Sequence, residues 1–207
     1  MKPRERLVIT CLTAALIFAA PFATGRSLTD SLLDQARGIM SPASPSGALG
    51  APAGQAVEVG FSPEGDAEAL VLKVIGSAHT SIRLAGYSFT SPKVVGALLE
   101  AKRRSVDVAV VVDDKGNRSK TSQQALNLLV NAGIPTRTIE RYAINHDKFV
   151  VVDGRHLETG SFNYSAAAAT RNSENVLVLW NNPALAGRYL QHWQSRFDQG
   201  RDYRSSY

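Results

Sequence analysis

Asn145, His146, Asp147 and Lys148 lead into the apolar run Phe149–Val152, which ends at Asp153; Gly160, Ser161, Phe162 and Asn163 follow soon after. On an extended strand side chains alternate between faces. His146 and Lys148 are two apart and share a face, whereas Asp153, an odd number of residues on, falls on the other. Ser161 and Asn163 also share a face. Folding the two segments together would put His146, Lys148, Ser161 and Asn163 in one pocket. It would hold a nucleophile, a fixed positive charge and two neutral hydrogen-bonding groups. That set suits a phosphate diester, whose two free oxygens call for charge and donors.

The elements that must position these residues alternate along the chain. Val57–Phe61 reads as a strand, and Gly65–His79 has helical periodicity with Ala69, Leu72, Val74 and Ile75 inward. Ser81–Tyr87 reads as a strand. Pro92 opens a helix that runs to about Arg104. Val106–Val112 is almost wholly apolar, as in a central strand buried on both faces. Lys115–Ser122 is a basic loop, Ser122–Ala132 a helix closed by Gly133, and Thr136–Ile139 a short strand. Asp147–Val152 and Arg155–Thr159 are strands joined by the turn signal Asp153-Gly154. Val176–Trp180 is a further strand, and a last helix runs from Pro183 to about Gly200. This order predicts one α/β domain over residues 57–207, with a mixed β-sheet flanked by helices on both faces.

Composition agrees with a folded enzyme-sized domain. Hydrophobic residues make up 44% and charged residues 20%, which excludes a disordered chain, a collagen-like repeat and a multi-pass membrane protein. The single cysteine, Cys11, excludes a disulfide scaffold and a thiolate zinc site. Residues 1–25 read as a signal peptide: a basic start, the apolar run Leu7–Ala20, and a small-residue exit with Ala23 and Gly25 at the −3 and −1 positions. The run is short of the roughly 20 residues that a bilayer span needs. Cleavage after Gly25 lowers the net charge from +5 to +3 and leaves no cysteine and no stable membrane span. Residues 26–56 read as a flexible tether, rich in Pro, Ser, Gly and Ala from Ser41 onward. Export from a bacterial cytoplasm, to the periplasm or beyond, is the expected localisation.

His146-x-Lys148, then Asp153 and Gly160-Ser161-x-Asn163, reproduce the HKD signature, and the chain resembles the phospholipase D superfamily. The single motif, the small size, the export signal, Val59–Gly65 and Asn172–Asn175 are most similar to the small bacterial Nuc-type endonucleases of that group. The resemblance runs from Val57 to Tyr207 and implies the phospholipase D/nuclease fold. It implies that His146 attacks phosphorus to form a phosphohistidine, that Lys148 and Asn163 hold the non-bridging oxygens, and that Ser161 adds a hydrogen bond to the substrate. Asp153 belongs to the motif in a supporting role. Glu174 matches the acidic partner that would fix the tautomer of the histidine. The mechanism needs a second histidine as acid and base, yet the motif occurs once. A two-fold axis through the site would supply it, so a homodimer is expected. No cofactor and no metal are implied. The expected substrate is nucleic acid, DNA first and RNA second, with phospholipid as the alternative.

Other features have plainer readings. Asp113-Asp114 reads as a strand-end turn before Lys115-Gly116-Asn117. Lys115, Arg118 and Lys120 form a basic loop that either follows a phosphate backbone or is simply solvated. His79, His156 and His192 lack metal-type spacing and read as structural or surface residues. Phe149, Phe162, Trp180 and Trp193 read as core.

Overall fold

The computed structural model describes residues 54–205. The expected signal peptide 1–25, with Cys11, lies outside the described residues, as does the expected tether up to residue 53. Among the described residues the chain forms eight strands and five helices: β1 (Ala56–Ser62), α1 (Ala67–Gly76), β2 (Ser81–Gly86), α2 (Pro92–Arg103), β3 (Asp107–Asp113), α3 (Lys120–Asn131), β4 (Thr136–Ile139), β5 (Phe149–Val152), β6 (His156–Gly160), α4 (Ala166–Thr170), β7 (Glu174–Trp180), α5 (Pro183–Gln199) and β8 (Arg201–Asp202). One turn of 3-10 helix, Lys115–Asn117, follows β3.

Local chemistry sets several boundaries. Ser91 accepts a hydrogen bond from the Val94 amide, and Pro92 occupies the first turn of α2. Ser119 accepts from the Ser122 amide, which starts α3 two residues earlier than periodicity suggests. Asn182 caps α5 through the Leu185 amide. At the β5–β6 turn Asp153 and Gly154 both have positive φ (52° and 64°), and the Arg155 amide bonds the Val152 carbonyl, as a type I′ turn requires.

The strands form one sheet in the order β1-β7-β6-β5-β2-β3-β4-β8. The β2–β3 and β3–β4 pairs are parallel and the rest antiparallel. Helices α2 and α3 make the two parallel crossovers. Every β3 residue after Asp107 is buried, as its unbroken apolar run predicts. One sheet face packs on α1–α4 through Ile82, Leu84, Val110, Val150 and Val178. The other packs on α5, where Ala85, Val111, Phe149, Val151 and Leu157 meet Ala186 and Trp193. Each such buried aliphatic side chain contributes roughly 1.5–3 kcal/mol. The expected mixed sheet with helices on both faces is therefore present. No helix among the described residues is long and apolar enough to cross a membrane.

One polar group sits in the first core. Glu158, on β6, is fully buried; its Oε2 accepts from the Tyr164 hydroxyl at 2.8 Å, and its Oε1 has no partner among the described residues. Burial pushes its pKa up to about 8, against the smaller opposing effect of the tyrosine bond. A carboxyl whose pKa is higher folded than unfolded contributes stability that is full below the unfolded value. That contribution is lost as pH rises from about 4.5 to about 8. Wild-type melting temperature should therefore fall across this window, and Glu158→Gln should flatten the fall. Equal pH slopes for the two proteins would show that the carboxyl ionises freely in the fold.

Candidate active site

The sheet's polarity brings five strand ends together. The C-terminal ends of β2, β3 and β6 lie beside the N-terminal ends of β5 and β7. Tyr87, Asp113, Lys148, Ser161 and Glu174 stand at those ends. Ligands in open α/β sheets settle at such edges.

The segment before β5 is not a strand, contrary to expectation. Pairing begins only at Phe149, and 144–148 has no regular structure. The Asn145 amide donates instead to Asp113 Oδ2 at 2.7 Å. His146 and Lys148 therefore stand just before the strand and not within it; Lys148 Nζ donates to the His146 carbonyl at 3.0 Å. The His146 side chain is exposed, and its ring lies 4.8 Å from that of Tyr87. Lys148 is buried, with Nζ 5.2 Å from the Tyr87 ring centroid. Desolvation lowers the Lys148 pKa, opposed by the charges of Glu174 and Asp147. Asn163 Oδ1 accepts from the Ser88 amide at 3.4 Å. That orientation points its NH2 group, a double donor, at other partners.

Ser161 and Glu174 form a pair. The Ser161 hydroxyl donates to Glu174 Oε2 at 2.6 Å and accepts from the Asn175 amide at 3.1 Å. Asn172 Nδ2 donates to Glu174 Oε1 at 3.0 Å. A serine has one proton to give, and Ser161 gives it to the carboxylate. No hydrogen bond joins Glu174 to His146 among the described residues, so the expected tautomer-fixing contact is not made within one chain. Gly160 permits the tight approach of β6 to β7: a Cβ there would lie 2.2 Å from the Asn175 carbonyl oxygen.

Asp153 is at the far end of β5. It lies five residues past Lys148, roughly 16 Å away at about 3.3 Å per residue. Its carboxylate accepts from the His79, Thr80 and Ser81 amides at 3.0, 2.8 and 2.9 Å and from the Thr80 hydroxyl. Burial would raise its pKa, but the bonds from Ser81, Thr80 and His79 outweigh it and hold the carboxyl below its ordinary value. Asp153, named with the catalytic motif in a supporting role, thus anchors β2 to β5 at the strand end opposite Lys148 and stands apart from the reacting groups.

Sequence reading missed three residues here. Asp113, read as a turn, sends Oδ1 to the Gly116 amide at 2.6 Å, which is the turn, but also Oδ2 to the His146 segment. Asn117 bonds the Tyr87 carbonyl and the Phe89 amide. Tyr87 carried no motif. Only its place at the C-terminal end of a strand hinted at a role. The other histidines lie elsewhere: His79 and His156 flank the far sheet end, and His192 Nε2 is 2.9 Å from Asp147 Oδ2. Among the described residues no three His, Cys, Asp or Glu side chains gather as a metal site needs.

A mixed α/β sheet that collects a histidine, a buried lysine and an asparagine at one end defines an anion-handling α/β domain. The model of the family described as "Cardiolipin synthase, PLD-like domain" matches residues 71–200, and the chain belongs to that phospholipase D-like family. Phospholipase D of Rickettsia bellii is 34% identical over 136 residues, 66% of this chain and 66% of that protein. The chain thus spans about two thirds of that relative's length. A mitochondrial cardiolipin hydrolase of Xenopus laevis is 36% identical over 109 residues, 53% of this chain and 50% of that protein. Among solved structures, the phospholipase D family member Nuc from Salmonella typhimurium is 53% identical, with TM-score 0.73, covering 73% of this chain and all of that one.

The displaced aspartate gives a direct test. Asp153→Ala should cost about 1–3 kcal/mol of stability while kcat of the folded protein stays within about threefold. A loss of kcat near that of a His146 variant, with the fold intact, would return Asp153 to the chemistry.

Proposed function

We propose that the protein is an exported phosphodiesterase of the phospholipase D superfamily, an endonuclease on DNA, working through a phosphohistidine on His146. The observation that carries the chemistry is the exposed His146 imidazole beside the buried Lys148 ammonium and the Asn163 amide at one sheet end. A nucleophile must be reachable, and a cation and amide donors must face the charge that develops on phosphorus. The 53% identity to Nuc over that protein's whole length favours nucleic acid as substrate.

In this reading a His146 ring nitrogen attacks phosphorus, a P–N bond forms and the bond to the leaving oxygen breaks. The oxygen takes a proton from a second histidine, which then deprotonates water; attack of that water breaks the P–N bond and frees the phosphate and His146. Within one chain no other histidine is free for this task. His79 and His156 are remote, and His192 is engaged by Asp147. The partner subunit's His146 would fill the role across a two-fold axis. An uncovered face of β1 and β7 supports this arrangement. Val57, Val59 and Phe61 are 62%, 50% and 59% exposed, and they pair with Leu179, Leu177 and Asn175. Asn175 in turn bonds Ser161 at the site. The apolar stripe thus runs up to the reacting groups.

Export is supported by the N-terminal pattern alone, with Arg26 as the first residue after processing. Phospholipid is a second reading, favoured by the names of the Rickettsia and Xenopus relatives.

Plasmid cleavage in excess EDTA is expected from the wild type and not from His146→Ala. Cleavage by both would remove His146 from the mechanism. Cleavage by neither, with choline released from phosphatidylcholine by the wild type, would transfer the assignment to lipid. Phe61→Glu should shift sedimentation from dimer to monomer and abolish activity with it; a fully active monomer would overturn the shared site.

A further inference from the structure

Tyr87 directly follows β2, and its position is held from several sides. Its carbonyl accepts from Asn117 Nδ2 at 2.6 Å. Its ring edge lies against Gly116, where a Cβ would come within 3.0 Å of Tyr87 Cε2. A side chain at Gly116 would crowd both the ring and the Tyr87 carbonyl oxygen. The ring is thus a fixed wall between the 3-10 turn and the His146 segment.

Two reacting groups use that wall. The His146 ring packs against it at 4.8 Å with an interplanar angle of 55°, and Lys148 Nζ stands 5.2 Å from its centroid. An exposed histidine otherwise turns freely about its side-chain torsions, and attack on phosphorus needs one orientation. A buried ammonium loses hydration, and the negative face of an aromatic ring replaces part of it. Among the described residues the only hydrogen bond of Lys148 Nζ goes to the His146 carbonyl. The Tyr87 hydroxyl makes no hydrogen bond there, so the ring carries the contacts.

We propose that Tyr87 is a positioning residue for the reaction at His146: its ring orients the imidazole and holds the Lys148 ammonium beside it. The inference rests on the phosphodiesterase reading, and the experiment separates the two. Turnover of a small aryl phosphodiester is measured across pH for wild type, Tyr87→Phe, Tyr87→Leu and His146→Ala, with circular dichroism to confirm folding. The His146 ring-proton signals, assigned by their loss in His146→Ala, are followed by NMR in the first three.

Tyr87→Phe keeps the ring and should retain kcat within about threefold. Tyr87→Leu keeps apolar bulk without a ring; it should lower kcat roughly 10- to 100-fold with KM little changed. Without the ring face the charged lysine is less favoured, so loss of the Lys148 charge, followed by NMR, should set in at lower pH than in the wild type. The His146 signals should shift in Tyr87→Leu and stay near wild type in Tyr87→Phe. A Tyr87→Leu enzyme with wild-type kcat and Lys148 titration would overturn the proposal. So would Tyr87→Phe as impaired as Tyr87→Leu, since the hydroxyl would then be the working group. Full activity in His146→Ala would instead remove His146 from the mechanism, and no turnover by the folded wild type would sink the phosphodiesterase reading; in either case the ring-proton shifts would still report the Tyr87–His146 contact.

Discussion

The carboxylate of Asp113 ends the central strand β3 at 1% exposure and holds two chain segments that would otherwise have no fixed relation. One oxygen takes the Gly116 amide and the other the Asn145 amide. Burying a charge is costly unless it is hydrogen-bonded, and two short amide bonds answer that cost. Asn117, also buried, completes the hub. It donates to the Asp113 and Tyr87 carbonyls and accepts from the Phe89 amide. From there the order spreads: the Ser88 amide meets Asn163, and the Thr90 and Ser91 amides both meet the Tyr164 carbonyl. The reacting side chains come from distant parts of the sequence: the His146 segment is tied to the end of β3 itself, and the Asn163 turn to the chain that follows β2.

A second buried polar contact serves the site from the core beneath. Tyr164 follows Asn163 and is fully buried, and its hydroxyl ends on Glu158. A neutral carboxyl inside an aliphatic core contributes less stability than a methyl-bearing side chain of equal volume. What it adds is direction, since a hydrogen bond holds the Tyr164 ring at one height against the sheet. Gly86, whose Cβ would come to 3.3 Å from that ring, leaves room for it. The turn carrying Asn163 is thereby tied above, through the Tyr164 carbonyl, and below, through its hydroxyl.

Much of this architecture was legible because it rests on local chemistry. The apolar run of β3, the Pro92 and Pro183 helix starts, and the Asp153-Gly154 turn all declare themselves in a few residues. Helix α4 and strand β8 do not, because five and two residues are too few for a period to show. The motif residues His146, Lys148 and Asn163 were legible as types, but their geometry was not. Strand parity assumed that β5 began near Asp147, whereas pairing starts only at Phe149 and the Asn145 amide bonds Asp113 instead. That bond joins residues 32 apart and leaves no local trace. Tyr87 and Asn117 were missed for the same reason: their partners are distant in sequence. Asp153 sits in the motif's spacing but on the opposite strand face, and its four donors at residues 79–81 again lie far off in sequence.

The uneven cover of the sheet bears on where chemistry can occur. Helix α5 lies over the middle of one face, packing on Ala85, Val111, Phe149, Val151 and Leu157. It leaves Val57, Val59 and Phe61 on the same face in solvent. The residues at the sheet's end divide along that border. Asp147 reaches toward α5 through His192, while Ser161 and Asn175 lead to the open strands. A site on such a border has one rigid wall, built by the hub at Asp113, and one side with no wall of its own. Desolvation strengthens every electrostatic interaction at a phosphorus centre, and one rigid wall excludes water from one side only. The apolar stripe beside Ser161 is where a second surface would close the other side.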